Sequence, residues 1–237
     1  MTLMLPLTLG SAEPAVAQSL VLTQNQPKHL TGNPETENPE KDKDAWKRGP
    51  PGGPQGGYWD VLLAYGEMTD GRLNQILRFN FGDFTGEQLY TMDVGYTLRD
   101  DNGLVKLVDW FLTTIEVAVN FTYQDDPAED IYQIAPYIMA RWSRFPWSKY
   151  VHTTFAIGDG LSWSSDIPQR ELDPGKPDGD YHNVLNYIAM EATLSLPKHR
   201  DWQLVYRLHH RSGVFGLMGA DNEGTTAMQL GIRHYFD

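Results

Sequence analysis

From Trp59 to Phe236 the chain alternates between large apolar and small or polar residues, in eight runs separated by turn-rich stretches. Successive side chains of a β-strand point to opposite faces, so each run carries one apolar face and one polar face. Trp59, Val61, Leu63 and Tyr65 oppose Asp60, Ala64 and Gly66, and Tyr90, Met92, Val94, Tyr96 and Leu98 oppose Thr91, Asp93, Gly95 and Thr97. The pattern recurs from Ile115 to Tyr123, Gln133 to Trp142, Val151 to Gly158, Tyr187 to Leu196, Trp202 to Ser212 and Met228 to Phe236. Each run is about ten residues long, the length that a tilted strand needs to cross a bilayer.

Two architectures satisfy such alternation. A soluble lipocalin-like barrel turns its apolar rows inward, whereas a membrane barrel turns them out to lipid. The polar rows here hold Asp60, Asp93, Glu116, Arg141, Glu191, Arg207 and Arg233, and aromatic residues recur at the run ends. That distribution fits a polar lumen and aromatic girdles. The N-terminus points to export: Leu3 to Leu9 is a short apolar run, and Ala15-Val16-Ala17 is a small-x-small cleavage site, although the usual basic start is missing. Together with the late Tyr235-Phe236 pair, these features predict an all-β fold, an eight-stranded antiparallel transmembrane β-barrel over residues 58–237 in the bacterial outer membrane. Residues 1–17 read as the signal peptide, and residues 18–57, rich in Asn, Pro, Glu, Lys and Gly, as a disordered periplasmic tail.

The net charge of -12, without a basic patch, argues against a nucleic-acid partner. The absence of cysteine excludes disulfides, thiolate metal sites and a lipid-anchoring cysteine. No cofactor or metal is implied: Asp125, Asp126, Glu129 and Asp130 lack calcium-loop spacing and read as a solvated external loop. Leu73 to Phe84 also alternates, through Leu77, Phe79 and Phe81. Because single-chain bacterial barrels have even strand numbers, the segment is expected to extend the first hairpin beyond the membrane. With both termini periplasmic, Ser143 to Lys149 and Pro197 to Asp201 become short periplasmic turns and Ser164 to His182 a long external loop. Asp100 to Asp109 is long enough for one helical turn.

Chemistry centres on Tyr206-Arg207-Leu208-His209-His210-Arg211-Ser212-Gly213. In this strand Trp202, Leu204, Tyr206 and Leu208 share a face, and His210 and Ser212 continue that lipid-facing row near the external end. A neutral histidine beside a serine hydroxyl is a base beside a nucleophile, and an acid or amide that fixes the imidazole completes the set. The short turn after Leu196 sets Ser212 opposite Asn186 and His210 opposite Ile188, and the returning strand brings Thr226 near Ser212. Glu223 and Asn222 lie in the connection that would orient the imidazole, and the Gly213 N–H is a candidate oxyanion donor.

The His210-x-Ser212 pair near the end of the penultimate strand, with Phe236 at the chain end, resembles the PagL-type lipid A 3-O-deacylases, also called acyloxyacyl hydrolase-like proteins. That resemblance implies an eight-stranded barrel with a Ser-His-Glu site on its outer wall, removing an ester-linked acyl chain from lipid A; whether the chain acts as a monomer or homodimer is left open by the sequence. It assigns Ser212 as nucleophile, His210 as base and Glu223 as the orienting acid, with Asn186 or Asn222 able to stand in. Two positions depart from the family pattern: Gly213 stands where Asn usually follows the serine, and Thr225 and Thr226 occupy the start of the last strand, where the family's acid lies. Arg141-Trp142, Phe145-Pro146-Trp147, Gly160-Leu161-Ser162 and His209 to Gly216 also resemble a set of proteobacterial outer-membrane proteins of unassigned activity. Outer-membrane phospholipase A is a further resemblance, with His-x-Ser and an Asn partner on a barrel of more strands, and calcium dependence would favour it.

The blander reading is a non-catalytic barrel in which His210 and Ser212 sit at a polar rim. His209 faces the lumen as a hydrogen-bonded interior residue, Asp159 sits at a bulge or rim, and Glu116, Arg141, Glu191 and Arg207 form interior ion pairs because eight strands leave little room for a channel.

Overall fold

The structure is a computed structural model that describes residues 57–172, 175, 179–213 and 224–236. The expected signal peptide and nearly all of the expected tail lie outside the described residues, as do Asn222 and Glu223.

Eight antiparallel strands close into a barrel in chain order: β1 Trp59–Thr69, β2 Phe84–Thr97, β3 Thr114–Gln124, β4 Ile131–Trp142, β5 His152–Ser164, β6 Val184–Leu196, β7 His199–Ser212 and β8 Thr225–Phe236. The even strand count and the facing of each run are as the alternation predicts. Traced along its ladder partners, the row that starts at Trp59 passes Tyr96, Val117, Ile138, Asp159, Ile188, His210 and Thr226 and returns to β1 at Thr69, ten residues further on. A stagger of that size around eight strands tilts them by about 40° to the barrel axis. The row therefore climbs from the end that holds the chain termini to the opposite end. Asp159 comes at the fourth of its eight steps and His210 at the sixth.

The outer rows are apolar and bare, with Leu63, Ile138 and Leu230 each more than half exposed. The inner rows carry the buried charges. Aromatic rings mark both ends of the wall: Tyr65, Tyr90, Tyr123 and Tyr132 form a chain of ring contacts at one end, and Trp59–Tyr96 and Trp202–His234 pair at the other. A polar-cored, apolar-walled, closed barrel cannot bury its outer surface in water and is an outer-membrane-type transmembrane barrel.

The lumen is filled by ion pairs. Glu191 takes Arg233 Nη1 and Nη2 at 2.7 and 2.8 Å, Arg207 Nη2 at 2.5 Å and Arg141 Nη2 at 3.0 Å. Arg207 also reaches Asp93 at 2.6 Å, Arg233 reaches Asp60 at 2.8 Å, and Arg141 reaches Glu116 at 3.2 Å. This is the interior pairing expected of Glu116, Arg141, Glu191 and Arg207.

Four sequence expectations change. The Leu73 to Phe84 stretch links β1 to β2 but is not an extended strand; it holds a helical turn, α1 Leu73–Ile76, and its Leu77 and Phe79 side chains are exposed. Its alternation has no strand partner to satisfy it. The β6–β7 turn is shorter than expected, only Pro197 and Lys198, because pairing continues to Leu196 and His199. Asp126 is buried, not solvated, and accepts the Ala128 and Gln169 N–H groups at 3.1 and 3.0 Å. Asp159 lies at neither bulge nor rim, since the β4–β5 and β5–β6 ladders run through it in register. The expected helical turn in the β2–β3 connection is α2 Gly103–Val108, capped by the Asn102 side chain on the Leu104 N–H.

Candidate active site on the outer wall

Strand β7 sends Gln203, Val205, Arg207, His209 and Arg211 inward and Trp202, Leu204, Tyr206, Leu208, His210 and Ser212 outward. The register matches the sequence expectation on one side: Ser212 is the partner of Asn186 and Ile188 the partner of His210. On the other side Thr226 is the direct partner of His210, and Ser212 lies two residues further along β7, diagonal to Thr226. His210, Ser212, Asn186 and Thr226 thus form one polar patch on an otherwise apolar face.

His210 is 6% exposed and Thr226 3%, although both belong to the outer row. The imidazole Nδ1 lies 2.9 Å from Thr226 Oγ1. In the tautomer whose Nδ1–H donates to that oxygen, Nε2 carries the lone pair a base needs. Ser212 is half-buried, two residues along the same row, and among the described residues no hydrogen bond joins it to His210.

Asn186 donates from Nδ2 to Asp159 Oδ1 at 3.0 Å and to the Gly160 carbonyl at 3.0 Å. With both amide hydrogens committed to β5, Asn186 has no donor left for an oxyanion and offers only its carbonyl oxygen. The pair also explains Asp159, whose exposed carboxyl stands half-way up the lipid-facing wall.

Gly213 is buried directly after the serine. Gly224, which sequence reasoning missed, has φ of +86°, and a Cβ there would fall 2.3 Å from the Arg211 carbonyl oxygen and 2.9 Å from Ser212 Cβ. Only glycine lets β8 begin this close to Ser212. His209 faces the lumen edge-on to Tyr187, with ring centroids 4.9 Å apart, but neither of its nitrogens has a hydrogen-bond partner among the described residues, contrary to expectation.

Further down the wall from the patch, an apolar groove runs across β1, β8 and β7, lined by Val61, Leu63, Trp202, Leu204, Leu230 and Ile232. Among the described residues, no group of histidine and acidic side chains is placed to hold a metal ion.

No protein-family model and no curated protein sequence matches the chain. Among solved structures, it is similar to the outer membrane enzyme PagL at 14% identity and a TM-score of 0.47, covering 74% of this chain and 98% of that one. It is similar to the N-terminal β-barrel domain of Pseudomonas aeruginosa OprF at 14% identity and a TM-score of 0.44, covering 77% and 100%. It is similar to the attachment invasion locus protein Ail of Yersinia pestis at 11% identity and a TM-score of 0.35, covering 77% and 99%. Likeness at this level carries no information on activity.

Proposed function

We propose that the chain is a lipid-facing serine esterase that removes an ester-linked acyl chain from lipid A or a related outer-leaflet lipid. Ser212 is the nucleophile, His210 the general base, and Glu223 the charge that stabilises the imidazolium. The observation that supports this reading is a sheltered His210, held at Nδ1 by Thr226, two residues from Ser212 on a lipid-facing row.

In this mechanism Ser212 Oγ attacks the ester carbonyl while His210 Nε2 takes its proton, and the Gly213 N–H steadies the oxyanion. The C–O bond of the ester then breaks, and the imidazolium returns the proton to the departing alkoxide. Water, deprotonated by the same nitrogen, releases the fatty acid and restores Ser212. The substrate's acyl chain runs from Ser212 down the apolar wall of β7 and β8 toward the groove that crosses β1, β8 and β7. The Ser212–His210 hydrogen bond forms with substrate bound, since such bonds are commonly long in ligand-free sites.

A non-catalytic barrel is the second reading, favoured by the threonine that meets His210 where the family resemblance implies an acid. A long-chain alkyl fluorophosphonate, incubated with the refolded full chain in micelles, separates the two. Esterase chemistry predicts a covalent adduct on Ser212 by peptide mass spectrometry, lost in Ser212→Ala and slowed about a hundredfold or more in His210→Ala. An unlabelled Ser212 beside a labelled control esterase would favour the non-catalytic barrel.

A further inference from the structure

Between β5 and β6, a 3-10 turn at Gln169–Glu171 stands at the end of the barrel opposite the chain termini. Three successive residues of this turn are fixed to different parts of the wall. The Gln169 N–H donates to Asp126 Oδ2 at 3.0 Å, Arg170 pairs with Glu87 of β2, and Glu171 points into the lumen with its side chain fully covered. Glu171 Oε1 lies 3.3 Å from Arg211 Nε and accepts the Thr225 hydroxyl at 3.2 Å. Arg211 is also tied to the Asn183 carbonyl at 3.2 Å, where the same connection enters β6.

The positions of Arg211 and Thr225 give this clamp its meaning. Arg211 is the inward residue between outward His210 and Ser212, and Thr225 is the inward neighbour of outward Thr226. Strand geometry makes each inward side chain a handle on the backbone that carries its outward neighbours. One carboxylate therefore holds, from inside the barrel, the two strand ends that carry His210, Ser212 and Thr226, three of the four members of the outer patch. Strand ends are prone to fray unless they are tied down.

We infer that Glu171 is a positioning residue for the His210, Ser212 and Thr226 site, acting through Arg211 and Thr225 across the barrel wall. The inference rests on the esterase reading for its catalytic consequence, but the mechanical coupling is independent of it. Glu171→Gln keeps the shape and the acceptor for Thr225 while removing the charge that pairs with Arg211. Arg170→Met is the control, because it loosens the same turn at β2, away from the site.

The test uses the full chain, labelled with 15N-histidine and refolded in micelles, with the His210 ring signals assigned by a His210→Gln variant. Glu171→Gln is expected to shift or broaden the His210 nitrogen signals and to slow fluorophosphonate labelling of Ser212 at least about tenfold, while Arg170→Met leaves both near wild type. His210 signals unchanged in Glu171→Gln, or changed equally in both variants, would overturn the inference. If wild type is not labelled yet Glu171→Gln still perturbs His210, the coupling stands and the esterase reading fails. Should Glu171→Gln not fold, hydrogen exchange in wild type decides: the Arg211, Ser212 and Thr225 amides are expected to exchange as slowly as mid-strand amides, and fast exchange there would contradict the clamp.

Discussion

His210 and Thr226 face each other across the β7–β8 ladder, with Nδ1 of one 2.9 Å from Oγ1 of the other, on a wall whose other outward residues are mostly apolar. A hydroxyl holds the ring in place but, able to donate or accept, does not select its tautomer, and it carries no charge to stabilise an imidazolium. The two tasks that one acid performs elsewhere are therefore split, with Thr226 orienting and Glu223 supplying charge in the proposed mechanism. Thr226→Val should slow Ser212 labelling about tenfold, the worth of one hydrogen bond, and Glu223→Gln on the order of a hundredfold. Pseudo-first-order labelling rates of the two variants check this, and a silent Glu223→Gln would remove Glu223 from the mechanism.

Gly224 makes a steric prediction. Alanine there would sit in a left-handed conformation and drive its Cβ into the Arg211 carbonyl and Ser212. Gly224→Ala should still fold, because the seven other ladders are untouched, but Ser212 labelling should fall more than about tenfold. Equal labelling with an unchanged folded-band shift on a gel would contradict the close approach.

The eight strands and their facing were legible because a lipid-facing wall and a charged lumen impose opposite chemistry on alternate residues, as Ile138 beside Tyr137 and Leu230 beside Gln229 show. The Asn186–Ser212 pairing is as read, but the two-residue turn does not set it: pairing opens at Leu196–His199, and a register shift between Leu194 and Leu196 restores the partners that a longer turn would give. Other features were hidden for physical reasons. Leu77, Phe79 and Phe81 alternate in a connection that has no sheet to join, and Phe79 takes a φ of 63° that no strand adopts. That Thr226 faces His210 directly, with Ser212 diagonal to it, was hidden because the length of a loop does not fix where pairing resumes. The contact of Glu171 with Arg211 spans two separate segments, and nothing local in either sequence signals it.

Asp159 tests the membrane placement of the wall. Its exposed carboxyl stands mid-wall, where an acidic side chain costs free energy, while Asn186 would keep the Gly160 carbonyl as a partner without it. Asp159→Leu should therefore stabilise the barrel in lipid vesicles by about 1 kcal/mol. Reversible urea titration of folding into vesicles measures it, and a less stable variant would place Asp159 in a structural role that outweighs its burial in lipid.

Glu191 tests the lumen. Three arginines converge on its carboxylate, so Glu191→Ala leaves buried positive charge uncompensated. The loss should be about 3–5 kcal/mol in the same titration. A loss below about 1 kcal/mol would mean that water enters the lumen and screens the charges.

The most direct test of the esterase account is mass spectrometry of lipid A and phospholipids from Gram-negative cells expressing wild type or Ser212→Ala, with both chains verified as folded in the outer membrane. The account predicts loss of one ester-linked acyl mass from lipid A in the wild-type strain alone. Unchanged lipid A with lysophospholipid accumulating would move the substrate to phospholipids. Identical lipids in the two strains, where a known deacylase is active in parallel, would contradict the account and leave a non-catalytic barrel.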